Sequence, residues 1–182
     1  MGRRQDRREE RQEERQTFGR GGDATQYQMR EKLLSIGDDF YIEQGGRRVF
    51  HVDGKALRVR QTLVFEDMDG HELCKIQEQM LRVRDTMAIE GPDGQTLATV
   101  KKALLSPLRE RFSVDVAGGQ DLEIQGNIVD HEYTVEASGQ KVAEVSKKWF
   151  RVADTYGVEI APGQNDIVIL AATACVDQMA HD

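Results

Sequence analysis

Apolar and polar positions recur along this chain with a period longer than any single element. With Gly46, Gly70, Gly94 and Gly139 as origins, the first three stand 24 residues apart and the fourth follows after 45, with Gly118 near the place of a degenerate copy. Three residues past each origin come Val49, Leu73, Leu97 and Val142. Four past come Phe50, Cys74, Ala98 and Ala143, and six past come Val52, Ile76, Val100 and Val145. The position between the last two is polar, occupied by His51, Lys75, Thr99 and Glu144. Such alternation is the pattern of a half-buried strand.

The second half of the unit repeats as well. Leu57, Leu81 and Phe150 align, as do Val59, Val83 and Val152, with Arg58, Arg82 and Arg151 between them on the opposite face. Thr62, Thr86 and Thr155 follow, then Phe65, Ile89 and Val158. The third copy departs from this pattern at Leu105–Pro107, which predicts a longer loop. Gly45-Gly46, Asp69-Gly70, Asp93-Gly94 and Ser138-Gly139 supply the positive φ that tight hairpins need. Each unit therefore reads as turn, strand, bend, strand, giving about a dozen short strands between Phe40 and Ile160. Strands so spaced build a sandwich or barrel. A unit this short cannot bury its own apolar face, so the copies must share one core.

The last segment changes period. Pro162-Gly163 makes a turn, Asn165 or Asp166 can cap a helix, and Ile167–Val176 is apolar on every side. Ten helical residues rise only ~15 Å, about half a bilayer core, so the segment reads as a buried helix at about 166–179. Small Ala171, Ala172 and Ala174 let surrounding strands approach. The predicted fold is mainly β: an antiparallel barrel of about twelve strands closed around one apolar C-terminal helix. The predicted organisation is a disordered charged tail over 1–24 and the barrel domain over 25–182.

Composition changes this picture little. The chain is 38% apolar and 31% charged with a net charge of −7. Residues 1–22 hold seven Arg against five acids, leaving −9 for the remainder, and an acidic body argues against nucleic acid as a partner. The two cysteines, Cys74 and Cys175, have no metal or redox spacing and read as buried free thiols in a reducing compartment. The charged N-terminus is unlike a secretory signal. A cytoplasmic protein, peripheral at the membrane if lipid is its partner, is expected.

No catalytic motif emerges, and no enzyme activity, metal or cofactor is expected. His51, His71, His131 and His181 show no i, i+4 pair. Asp67-Met68-Asp69-Gly70 echoes a calcium loop but lacks its remaining ligands, so it reads as a turn. Ser106 precedes Pro107 outside any nucleophile elbow. The basic residues are more informative. Arg58, Arg60, Arg82, Arg84 and Arg151 fall on the outward side of repeated strands, and Lys101-Lys102 and Lys147-Lys148 sit at equivalent points of two copies. Brought together, these nine residues are candidates for binding phosphate or phospholipid headgroups. Trp149, the only tryptophan, stands beside Lys148.

Tyr27–Glu43 (YQMREKLLSIGDDFYIE), Gly126–Val135 (GNIVDHEYTV), Lys148–Asp154 (KWFRVAD) and Ile167–Met179 together resemble the LURP-one-related family, within the Tubby C-terminal-like superfamily that includes phospholipid scramblases. The resemblance spans Tyr27 to the C-terminus. It implies a twelve-stranded barrel around a central helix. It implies no chemistry, although Tubby domains bind phosphoinositides, and no binding residue transfers onto this chain. The expected function is a non-catalytic binding module that associates peripherally with anionic phospholipid. The alternatives are a protein-interaction scaffold and a scramblase-like activity, which would require the Ile167 segment to insert in a bilayer.

Overall fold

A computed structural model describes residues 22–30, 39–54, 62–78, 86–103, 110–150 and 154–181. Twelve strands follow one another: β1 (Thr25–Arg30), β2 (Phe40–Gln44), β3 (Arg47–Asp53), β4 (Thr62–Glu66), β5 (Glu72–Glu78), β6 (Thr86–Glu90), β7 (Thr96–Lys102), β8 (Glu110–Val116), β9 (Leu122–Asn127), β10 (Glu132–Ala137), β11 (Gln140–Ser146) and β12 (Thr155–Ile160). Each pairs antiparallel with its neighbours in sequence, and β12 returns to β1, closing the barrel. Eleven of these strands lie between Phe40 and Ile160, and β1 is the twelfth. The charged tail over 1–21 lies outside the described residues, as does the Leu105–Pro107 loop.

The repeat is visible in the register. In β3, β5, β7 and β11 the residue three past the origin glycine is an extra one that the ladder skips. Ile42 pairs with Phe50 and Glu43 with Arg48, passing over Val49. The same slip passes over Leu73, Leu97 and Val142. Strict alternation would send these residues to the opposite face from Phe50, Cys74, Ala98 and Ala143. A β-bulge lets two consecutive side chains lean the same way and sharpens the local twist. Val142 and Ala143 are accordingly both buried. Val52, Ile76, Val100 and Val145 line the core, while His51, Lys75, Thr99 and Glu144 stay half-buried on the outside. Thr62, Thr86 and Thr155 each open a strand and are buried, and Phe65, Ile89 and Val158 lie fully inside.

The helix, α1 (Asp166–His181), is buried from Val168 to Met179. Its start is capped by Asn165, whose side-chain oxygen accepts from Val168 N at 3.2 Å and whose carbonyl accepts from Ile169 N. Tyr27 in β1 donates its hydroxyl to Asp166 at 2.6 Å, tying the first strand to the helix. Sixteen residues rise ~24 Å, so α1 enters beside Ile160 and runs through the barrel, its backbone nearest β5, β6, β7 and β12. Thr173 satisfies its hydroxyl by donating to the Ile169 carbonyl.

Antiparallel closure gives the barrel two unlike rims. The turn rim holds the connections β2–β3, β4–β5, β6–β7, β8–β9 and β10–β11 and the entry to α1. The far rim holds β1–β2, β3–β4, β5–β6, β7–β8, β9–β10 and β11–β12.

Candidate functional site

Of the nine basic candidates, Lys101, Lys102, Lys147 and Lys148 are described. Arg58, Arg60, Arg82, Arg84 and Arg151 lie outside the described residues; strands β4, β6 and β12 begin downstream of them, at Thr62, Thr86 and Thr155. Lys101 and Lys102 end β7 at the far rim. Lys101 pairs with Asp115 on β8, and the Lys102 ammonium stands 5.9 Å from the centre of the Phe112 ring. Lys147 and Lys148 begin a single 3₁₀ turn, Lys147–Trp149, immediately after β11 and at the same rim. The two lysine pairs are four strand spacings apart, roughly 19 Å along the wall at ~4.8 Å each. They share a rim without touching.

The turn holding Lys148 is fixed from below. Glu132, at the start of β10, accepts from Ser146 Oγ at 2.9 Å and from Lys148 Nζ at 3.1 Å. Ser146 Oγ in turn accepts from Lys148 N. The Lys148 side chain is nonetheless 80% exposed, and an exposed pair of this kind contributes little to stability, so its ammonium remains open to an anion. Trp149 lies with Phe150 on Gly157 of β12, where a methyl group would stand 2.5 Å from Trp149 Cε3. It packs on the barrel wall beside the lysines. Val129, in the β9–β10 turn, projects from the same rim and is 56% exposed.

Inside the far end of the barrel sits a polar group that sequence reasoning missed. His131 Nε2 and Asp177 Oδ1 are 2.7 Å apart, with both side chains sealed from solvent. The His131 ring stacks on Tyr156 at 4.3 Å. Burial, and then the Asp177 carboxylate, push the Tyr133 phenol upward from its ordinary pKa. The available signal was Asp177-Gln178, two polar residues continuing an apolar helix. With His131 2% exposed, the group fixes the helix end and has no open face toward a substrate.

Two further places gather reactive or metal-ligating groups. Asp67, Asp69 and His71 converge closely enough to hold an ion. However, the Asp67 carboxylate already accepts from the backbone N–H of both Asp69 and His71 and contacts the His71 ring, which makes it a turn cap. Those bonds, led by the one from His71 N, hold its pKa below the usual carboxylate value. Cys74 and Cys175 are free and buried. Burial pushes the Cys74 thiol up to about 12 and raises that of Cys175 as well, so neither is a thiolate nucleophile.

Comparison with known proteins agrees with the architecture. A family model described as LURP-one-related matches residues 25–177. The uncharacterised protein YxjI of Bacillus subtilis (strain 168) is 27% identical over 152 residues, covering 83% of this chain and 90% of that protein. The X-ray structure of a protein from Arabidopsis thaliana superposes with a TM-score of 0.63 at 18% identity, covering 87% of this chain and 92% of the other. Among the described residues no helix is long and apolar enough to cross a membrane.

Proposed function

The chain belongs to the LURP-one-related family, and on that footing we propose that it is a non-catalytic module that associates peripherally with anionic phospholipid through the far rim of its barrel. The observation that carries this reading is that the cations of the described connections all lie at one rim. The connections at the turn rim, residues 45–46, 67–71, 91–95, 117–121, 138–139 and 161–165, hold four acids, Asp67, Asp69, Asp93 and Asp121, and no Lys or Arg. Among the described residues of the far-rim connections, Lys147 and Lys148 stand side by side in the turn after β11, and the Lys148 side chain is 80% exposed. The described far-rim connections also carry Val129 and Trp149. Basic residues beside apolar tips suit an anionic bilayer surface, where each cation near the surface contributes about 1 kcal/mol.

An acidic body held above that rim orients the barrel, because its turn rim is repelled by the same surface. The helix stays inside the barrel in this arrangement, so no insertion is needed. The two exposed large apolar side chains among the described residues, Met68 and Val129, lie at opposite rims. They offer no shared patch to a protein partner.

Co-sedimentation with vesicles tests the proposal. The full chain should pellet with phosphatidylglycerol-rich vesicles at low salt, remain in solution with neutral vesicles, and be released as salt shortens the screening length. Lys147→Glu with Lys148→Glu should weaken retention severalfold. Absence of binding to anionic vesicles at low salt, where attraction is strongest, would refute it.

A further inference from the structure

The barrel has a weak seam. β1 and β12 pair over six residues, whereas β1 and β2 pair only at Tyr27–Gln44 and Gln28–Glu43. Beyond Gln28 the ladder between the two strands stops, and a cleft of about 170 Å³ lies there toward the far rim. Its lining includes Gln28 and Arg30 from β1, Tyr41 and Glu43 from β2, and Asp154 and Thr155 at the start of β12. Arg30 lies cross-strand from Thr155. One wall is held rigid: the Arg48 guanidinium lies over the Tyr41 ring at 4.0 Å, and the His51 ring packs against Tyr41 at 5.1 Å.

Three charged residues face this space. Elsewhere on the wall, Lys75 pairs with Glu90, Lys101 with Asp115, Lys141 with Glu144 and Lys148 with Glu132. Arg30, Glu43 and Asp154 make no ion pair among the described residues, although all three border one cleft. A guanidinium recognises a phosphate or carboxylate through paired N–H donors, and two carboxylates receive the N–H groups of an ammonium. The volume is below the ~300–1,000 Å³ of drug-sized pockets and suits a small polar group.

We propose that this cleft binds a primary ammonium carried close to an anionic group, with Arg30 taking the anion and Glu43 and Asp154 the ammonium. That chemistry belongs to an aminophospholipid headgroup and equally to a free small zwitterion. The lipid source rests on the membrane reading of the far rim, where the cleft opens; the site itself does not.

Calorimetric titration of the full chain with phosphoethanolamine and with phosphocholine tests the site without a membrane. Phosphoethanolamine should bind at least tenfold tighter, because a quaternary nitrogen has no N–H to give Glu43 or Asp154. Arg30→Gln and Glu43→Gln, each checked for an unchanged thermal melt, should each weaken it tenfold or more, whereas Arg111→Gln on β8 should not. Equal binding of the two compounds, no binding, or indifference to both substitutions would overturn the assignment. Vesicles of matched net charge separate the sources. Preference for phosphatidylserine over phosphatidylglycerol, lost in Glu43→Gln, supports the headgroup, and phosphoethanolamine binding without that preference supports the site with a free zwitterion as its ligand. Retention on phosphatidylglycerol with no phosphoethanolamine binding would overturn the cleft and leave the rim reading standing.

Discussion

His131, in the turn before β10, meets Asp177, eleven residues into α1, at 2.7 Å in the closed end of the barrel. The contact joins the β9–β10 connection to the helix across 46 residues of sequence. His131 holds a left-handed backbone, with φ 51°, which a non-glycine residue keeps only where its surroundings demand it. The same turn places Ile128 in the core and Val129 in solvent.

Removing one member of this pair takes from the other its closest polar contact in a dry site. Asp177→Leu should therefore lower unfolding free energy by about 3 kcal/mol, the range for breaking a buried pair. His131→Leu should cost a similar amount, and the double variant clearly less than the two together. Urea denaturation of the four proteins measures the coupling. Strict additivity would mean that the two side chains do not support each other.

Gly157 sits beneath the aromatic pair that follows β11. A methyl group there meets Trp149 Cε3 at 2.5 Å and Phe150 Cε2 at 2.8 Å, so Gly157→Ala must displace both rings. Overpacking of this kind costs about 1–3 kcal/mol. Trp149 is the only tryptophan, and its emission should shift to the red as the ring lifts into water. An unchanged spectrum in a folded variant would place Trp149 elsewhere.

The strand repeat was legible because each unit carries its own turn chemistry: glycines at one spacing mark hairpins whatever the rest of the chain does. Gly46, Gly70, Gly94 and Gly139 all adopt positive φ. The bulge at Val49, Leu73, Leu97 and Val142 was not legible. Two adjacent apolar residues fit a bulge and a shift of register equally well until the partner strand is known. The apolar helix was legible at about 166–179, but the role of Asp177 within it was not, since the partner that makes a buried acid tolerable lies in another hairpin. The seam between β1 and β2 is a property of closure. Arg30, Glu43 and Asp154 converge only once β12 has returned to β1.

Glu159 on β12 lies directly across from Glu144 on β11. Burial, and then the Glu144 charge, raise its pKa, partly opposed by Lys141. A raised value means that the folded protein binds this proton more tightly than the unfolded chain. The site is therefore most favourable below the ordinary carboxylate pKa of about 4.3, and stability falls as pH rises through the raised value. Glu159→Gln should stabilise the protein at pH 7 by roughly 0.2–1 kcal/mol, the scale of a cross-strand pair, toward the lower end because the site is partly solvent-screened. Near pH 3.5 the gain should vanish. Thermal melts at the two pH values decide it; a gain of the same size at both would mean that charge is not its origin.

The helix offers the most severe test of the architecture. From Val168 to Met179 its side chains are the filling that the inward faces of the strands close upon. Ala172 is 1% exposed, and a carboxylate there meets neither water nor a built partner. An unpaired buried charge costs several kcal/mol even after relaxation, comparable to the ~5–15 kcal/mol stability of a whole domain. Ala172→Asp should accordingly abolish cooperative unfolding, while Ala172→Ser, nearly isosteric and able to back-bond like Thr173, should fold with a modest loss. Truncation before Asn165 should also unfold the chain, because it removes the Asp166 anchor of Tyr27 and the Asp177 partner of His131 along with the core. Circular dichroism with a thermal melt reads all three. A truncated chain that melts cooperatively near the full-length midpoint would show that the barrel closes without its helix, and that α1 is a separable element.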